Sequence, residues 1–142
     1  VAGSLYGMFA GFYYWSPKWT GVMYNEFRGK MHYWFSLFFF NLTFFPMHFL
    51  ALAGMPRRYA DYPAQFTDFN QIATIGAFGF GLSQVYFFFF VLLPMMRGKG
   101  EKAPQRPWEA AEGLEWEVPS PAPFHTFETP PKLDATATKV IG

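Results

Sequence analysis

The sequence has no cysteine. That excludes a disulfide framework, a thiolate nucleophile and any thiolate-bound metal. Charge is scarce as well: 15% of the residues are charged, where a soluble domain carries about 25%. The formal net charge of +1 gives no electrostatic footprint for a nucleic-acid partner. No Ser/His/Asp set, phosphate-cradling glycine loop or HExxH is present. No basic start followed by a small-residue cleavage site marks a secretory signal. The chain opens at Val1, inside an apolar run and without an initiator methionine. The expectation is a processed or trimmed chain, or one piece of a split protein.

What the chain does have is apolar and aromatic surface: 51% hydrophobic residues, 23% aromatic, and 20 phenylalanines. Met31 to Leu52 contains no Asp, Glu, Lys or Arg. At about 1.5 Å per residue a helix over 31–52 is about 33 Å long, enough to cross a hydrocarbon core of about 30 Å. Gly54 and Pro56 follow as stop signals. A second uncharged run predicts a helix over 69–96, with Asp68 and Gln71 spaced as a capping box. Gly76, Gly79 and Gly81 suit a close-packing face, and Gln84 beside Ser83 is expected to bond inside a bundle.

Residues 1–14 are apolar too, but a helix of about 21 Å is too short to span a bilayer. The simplest reading is a transmembrane helix that has lost its first turns. Gly3, Gly7 and Gly11 recur every four residues and offer a seam for another helix. Between the first two helices, Trp15, Trp19 and Tyr24 suit the interfacial belt, and Pro17 is expected to break the helix. Residues 98–142 are rich in Pro, Glu and Ala without helical or strand period, and predict an extended strap on a partner surface. The fold class expected is therefore all-α: an integral membrane bundle segment over 1–97 with three transmembrane helices, the first truncated, and an extended tail over 98–142. Lys18, Arg28 and Lys30, with Arg97, Lys99, Lys102 and Arg106, place the first loop and the tail on the cytoplasmic or matrix side.

Few residues suit chemistry. On one helix His32 and His48 would stand about 24 Å apart and about 160° around the axis, so they cannot share a metal or a haem. His125, in the tail, has no metal-ligand spacing to another histidine. Arg57 and Arg58 are the best candidates, because the planar guanidinium pairs bidentately with oxyanions and stays charged. They would clamp carboxylates or phosphates of a cofactor, or else meet lipid phosphates or acids of the same protein. Asp61 could pair with either arginine or give an oxygen to a hard cation.

The stretch NLTFFPMHFLALAGMPRRYADYP, Asn41 to Pro63, resembles the haem–copper oxidase superfamily, and within it cytochrome c oxidase subunit I. GFYYWSPKWTG before it and LEWEVPSPAPFHTFETPP in the tail agree in the same register. The resemblance implies the last three helices and tail of the catalytic subunit of a proton-pumping enzyme that reduces O2 to water. It implies that Arg57 and Arg58 bond haem propionates, and that Asp61 stands beside a Na+ or Ca2+ site found in some members. Met47 departs from the usual glutamine beside His48. Two haem A groups and copper are implied as cofactors, ligated outside this chain, with a His-Phe-His motif a few residues before Val1. The implied partners are the N-terminal part of the subunit, other oxidase subunits, cytochrome c and the lipid of a bacterial or mitochondrial inner membrane. The alternative is a non-enzymatic membrane scaffold or assembly protein derived from the oxidase sequence.

Overall fold

The computed structural model describes residues 2–58 and 60–131. Every regular element among them is helical. Helix α1 covers Ala2–Thr20, α2 Glu26–Leu52, α3 Thr67–Phe87 and the short α4 Leu93–Met96, with π-type turns over Phe88–Leu92 joining α3 to α4. The chain forms two compact units, one of Val1–Tyr24 with Leu93–Gly142 and one of Asn25–Leu92.

Three helix ends differ from the sequence expectation. Pro17 lies inside α1, and the helix ends at Thr20 with Gly21 at φ 73°. The lost proline donor is tolerated because Ser16, Pro17 and Lys18 are buried, so tertiary packing outweighs the local penalty. Helix α2 starts at Glu26, earlier than 31, because Asn25 caps it: its Oδ1 accepts from the Arg28 amide at 3.0 Å. Glu26 then pairs with Lys30 one turn on. The expected capping box at Asp68 does not form. A 3-10 turn over Ala64–Phe66 leads into α3 at Thr67, and Asp68 sits in the first turn of the helix.

Within the second unit α2 and α3 run antiparallel. Phe49 stacks on Phe69, Thr43 faces Gly76, Phe39 faces Gly79, Ser36 meets Ser83, and His32 lies against Phe87. From Thr43 and Gly76 onward the steps are three and four on both helices, which keeps one seam closed along the pair. The seam is small and polar: its buried residues include Ser36, Thr43, Ala73, Gly76, Gly79 and Ser83. Large side chains point away from it, with Phe38 and Phe45 each 61% exposed and Phe78 73%. Water would oppose such an arrangement. In lipid, helices associate through small residues and interhelical hydrogen bonds, so this distribution suits a membrane. Gln84 donates to Ser83 Oγ at 2.9 Å and lies within 3.4 Å of Ser36 Oγ, bonded inside the pair as its sequence position suggested. Gly81 falls off the seam, with nothing within 4 Å of a Cβ built there.

In the first unit the tail folds back over the polar end of α1. Lys18 is buried, its Nζ donating to the backbone oxygens of Val118 at 2.7 Å and Gln105 at 3.1 Å. The same ammonium stands 5.1 Å from the centre of the Trp116 ring, a cation–π contact. Trp108 Nε1 donates to Tyr14 O at 3.0 Å. Trp116 is fully buried, edge-on to Tyr14. The strap therefore lies against this chain's own first helix and the turn after it as far as Pro121; residues 132–142 of the expected tail lie outside the described residues.

Among the described residues two helical stretches are long and apolar enough to cross a membrane, Glu26–Leu52 and Ala64–Met96. Helix α1 is not one of them.

Candidate functional site

The site expected at Arg57 and Arg58 begins where α2 stops. Ala53 is the C-cap, and Gly54 takes the left-handed conformation at φ 84°. Gly54 N donates to Ala51 O at 3.1 Å and Met55 N to Leu50 O at 3.0 Å. These two bonds form a Schellman end, which satisfies the last carbonyls and turns the chain sharply off the helix axis. Pro56 cannot continue a helix, so Arg57 and Arg58 leave directly from the end of the apolar segment.

Arg58 adopts φ 62°, a conformation that a residue with a Cβ holds at a cost. Both arginines are exposed, and neither forms an ion pair among the described residues. Arg57 lines a groove of about 470 Å³ together with His48, Met47, Met55 and Asn70, walled on its apolar side by Phe44, Leu50 and Ala51. Arg58 and Asp61 do not line it. Asp61 is exposed, and its Oδ1 accepts from the Tyr62 amide at 2.8 Å. The structure thus brings Arg57 to a groove and leaves Arg58 and Asp61 on the loop around it.

Two further side chains belong to this site and were not singled out as binding residues from the sequence. Asn70, in the first turns of α3, bonds Phe66 O at 2.8 Å and reaches Met55 Sδ at 3.6 Å. It ties the start of α3 to the turn that follows α2, in the groove that Arg57 also lines. His48 holds Nδ1 against the carbonyl oxygens of Phe44 at 3.1 Å and Phe45 at 3.3 Å. Nδ1 is therefore the donor, and Nε2 is the acceptor nitrogen of the neutral ring. His48 sits five residues before Ala53, the C-cap, and that closeness to a helix end was the available signal. Among the described residues no group of three or more His, Asp or Glu could hold a metal ion. The arrangement is chemically an anion seat: a permanent cation and an amide at the rim of an apolar groove.

The profile of the family described as Cytochrome C and Quinol oxidase polypeptide I matches residues 1–79. The chain is similar to cytochrome c oxidase subunit 1 of Cereibacter sphaeroides, at 44% identity over 132 residues, which covers 93% of this chain and 23% of that protein. It is 43% identical over 131 residues to the putative cytochrome c oxidase subunit 1-beta of Streptomyces coelicolor, covering 91% of this chain and 23% of the relative. Cytochrome c oxidase subunit 1 of Yarrowia lipolytica is 38% identical over 146 residues, covering 92% of this chain and 27% of its own length. The chain therefore spans about a quarter of the length of these relatives.

Proposed function

Because this chain belongs to the cytochrome c and quinol oxidase polypeptide I family, we propose that it serves as the C-terminal section of the catalytic subunit of a proton-pumping cytochrome c oxidase. The complex would take electrons from cytochrome c and reduce O2 to water. One observation carries the residue-level part of this reading: Arg57 stands at the rim of an apolar groove, beside Asn70, with no acidic partner among the described residues. The groove and its cation suit the carboxylate-bearing edge of a haem, and Arg57 and Arg58 are the residues that would hold the propionates.

Bound haem A and copper supply the electron-transfer and oxygen chemistry, and their ligands belong to parts of the subunit outside this chain. The work of this chain is electrostatic and structural. Its guanidinium groups offset propionate charge, which raises the reduction potential and lowers the basicity of nearby carboxylates. The small-residue seam between α2 and α3 holds the loop in place. Residues 2–14 of helix α1 belong to the third span of the set, with Gly3 and Gly7 presented to another helix of the subunit. Asp61 supplies one carboxylate to a Na+ or Ca2+ site completed elsewhere. The tail lies on the cytoplasmic or matrix side of a bacterial or mitochondrial inner membrane.

The test is a native gel of membranes dissolved in mild detergent, with mass spectrometry and a reduced-minus-oxidised spectrum on the band containing this chain. The expected outcome is an A-type haem signal together with peptides of the N-terminal part of subunit I. A stable complex without haem overturns the reading in favour of a non-enzymatic scaffold derived from the oxidase sequence.

A further inference from the structure

The end of the Ala64–Met96 stretch carries a second cationic feature that the haem reading does not use. Met96 is 68% exposed, and the next six residues hold Arg97, Lys99 and Lys102 against one carboxylate, Glu101. The helix stops here by backbone geometry. Gly98 takes φ 66°, its N–H donates to Met95 O at 2.9 Å, and Lys99 N donates to Pro94 O at 2.8 Å. The last carbonyls are thus satisfied from the backbone, so the three cations are not needed to cap the helix.

The turn then sends the chain across the end of α1. Met23 N donates to Glu101 O at 2.8 Å and Ala103 N to Gly21 O at 2.9 Å, with Val22 and Lys102 opposed as an antiparallel bridge. A Cβ at position 100 would collide with Met23 O, so the two segments lie in close contact at Gly100. Lys102 consequently sits at a pinned bridge, with Arg97 and Lys99 in the hydrogen-bonded turn before it. Their neighbours in the same unit are already committed: Lys18 to backbone carbonyls and Arg106 to Glu117. Arg97, Lys99 and Lys102 are exposed and form no ion pair among the described residues. At the end of α1, Trp19 is 61% exposed and Trp15 40%, the residue type that favours the headgroup level.

We propose that Arg97, Lys99 and Lys102 form a seat for the headgroups of anionic phospholipids, at the level where the apolar stretch ends at Met96. The proposal rests on reading Ala64–Met96 as a membrane span. Charge complementarity selects the occupant: three uncommitted cations directly after an apolar helix meet the phosphates of a negative leaflet, each contributing about fivefold in partition. Three together give about 100-fold.

The test uses the intact membrane complex carrying this chain, purified in mild detergent and titrated with phosphatidylglycerol or phosphatidylcholine, with retained lipid counted by native mass spectrometry. The unaltered complex should retain phosphatidylglycerol in preference to phosphatidylcholine. The Arg97→Gln/Lys99→Gln/Lys102→Gln variant should lose about 100-fold in phosphatidylglycerol affinity. Arg97→Lys/Lys99→Arg/Lys102→Arg, which keeps the charge, should stay within about threefold of the parent. Equal retention by the glutamine variant, or no preference between the two lipids, overturns the proposal. So does displacement of phosphatidylglycerol by inorganic phosphate at equal concentration, which would mark a free-anion site. Alkaline carbonate extraction of native membranes separates the two layers of the argument: release of the chain overturns the span itself, whereas retention leaves the lipid titration to decide.

Discussion

The hydroxyls of Ser36 and Ser83 meet at 3.0 Å, buried midway along the contact between α2 and α3. Each is also within reach of the Gln84 amide, and Ser83 donates to Phe80 O at 2.6 Å. The pair sits where the alternative partner is hydrocarbon. Interhelical bonds of this kind contribute about 0.6 kcal/mol in membrane proteins, up to about 1.7. Ser36→Ala and Ser83→Ala should each destabilise the helix pair by about 1 kcal/mol. A double-mutant cycle on the thermal unfolding of the complex should return coupling of about 0.5 kcal/mol or more between them. Strictly additive losses would mean that the two hydroxyls do not act on one another.

Gly76 and Gly81 should behave in opposite ways. A Cβ at Gly76 would come within 2.5 Å of Thr43 N and 2.7 Å of the Leu42 carbonyl carbon, which are backbone atoms and cannot step aside. At Gly81 the space is open within this chain. Gly76→Ala should push the helices apart and cost about 2 kcal/mol, as overpacking does. The measurement is the yield of assembled complex after detergent extraction, with Gly81→Ala as the reference. Equal yields would contradict the close approach at Thr43.

Arg57 and Arg58 should separate when neutralised. Arg57→Gln keeps the groove and removes its cation. The expected result is a haem midpoint potential lower by about 60 mV, a tenfold change for a one-electron couple. Arg58 adds a backbone condition, because its φ of 62° suits glycine and disfavours branched side chains. Arg58→Gly should lower the potential while preserving the loop, whereas Arg58→Val should also destabilise it by about 1–2 kcal/mol. Redox titration followed at the haem bands, together with a melting curve, distinguishes the two. Potentials unchanged in both neutral variants would remove the propionate role.

Lys18 should make docking of the tail sensitive to pH in a predictable direction. Burial holds its ammonium below the ordinary lysine value of 10.5, with the Glu115 carboxylate pulling the other way. Between the lowered value and 10.5 the unfolded chain binds more protons than the folded unit, so stability rises with pH through that window. Below the window the penalty for burying the charge is present in full. Limited proteolysis between Gln105 and Val118 should therefore slow as the pH is raised through that window towards 10.5. Lys18→Met should abolish this slope. It should also cost about 2 kcal/mol, because two backbone carbonyls lose a charged donor.

Much of this was legible from residue type alone. Uncharged runs place both apolar helices, since hydrocarbon excludes charge whatever the neighbours do. The close approach at Gly76 and Gly79 and the internal bonding of Gln84 follow from small and polar residues at helical spacing. The ends of helices were harder to read. Pro17 carries a strong local stop signal, yet the helix passes through it because the tail covers Ser16, Pro17 and Lys18. Asp68 has the spacing of a cap but loses to a 3-10 turn begun at Pro63. At the candidate site, Arg57 and Arg58 stand out as adjacent cations after a long uncharged run. Asn70 carries no such mark, because its part depends on where Met55 lies in space. Lys18 reads in sequence as one more interfacial cation; its burial is created by residues 87 and 100 positions away.

That separation carries a consequence for how the chain is made. A ribosome adding about 5–20 residues per second needs roughly 5–20 s to pass from Lys18 to Val118. During that interval α1 has emerged with an ammonium group whose carbonyl partners do not yet exist, and both apolar helices are made before those partners arrive. Burial of Lys18 is therefore completed late, and a chain cut short between Gln105 and Val118 would keep one carbonyl partner for the ammonium and lack the other.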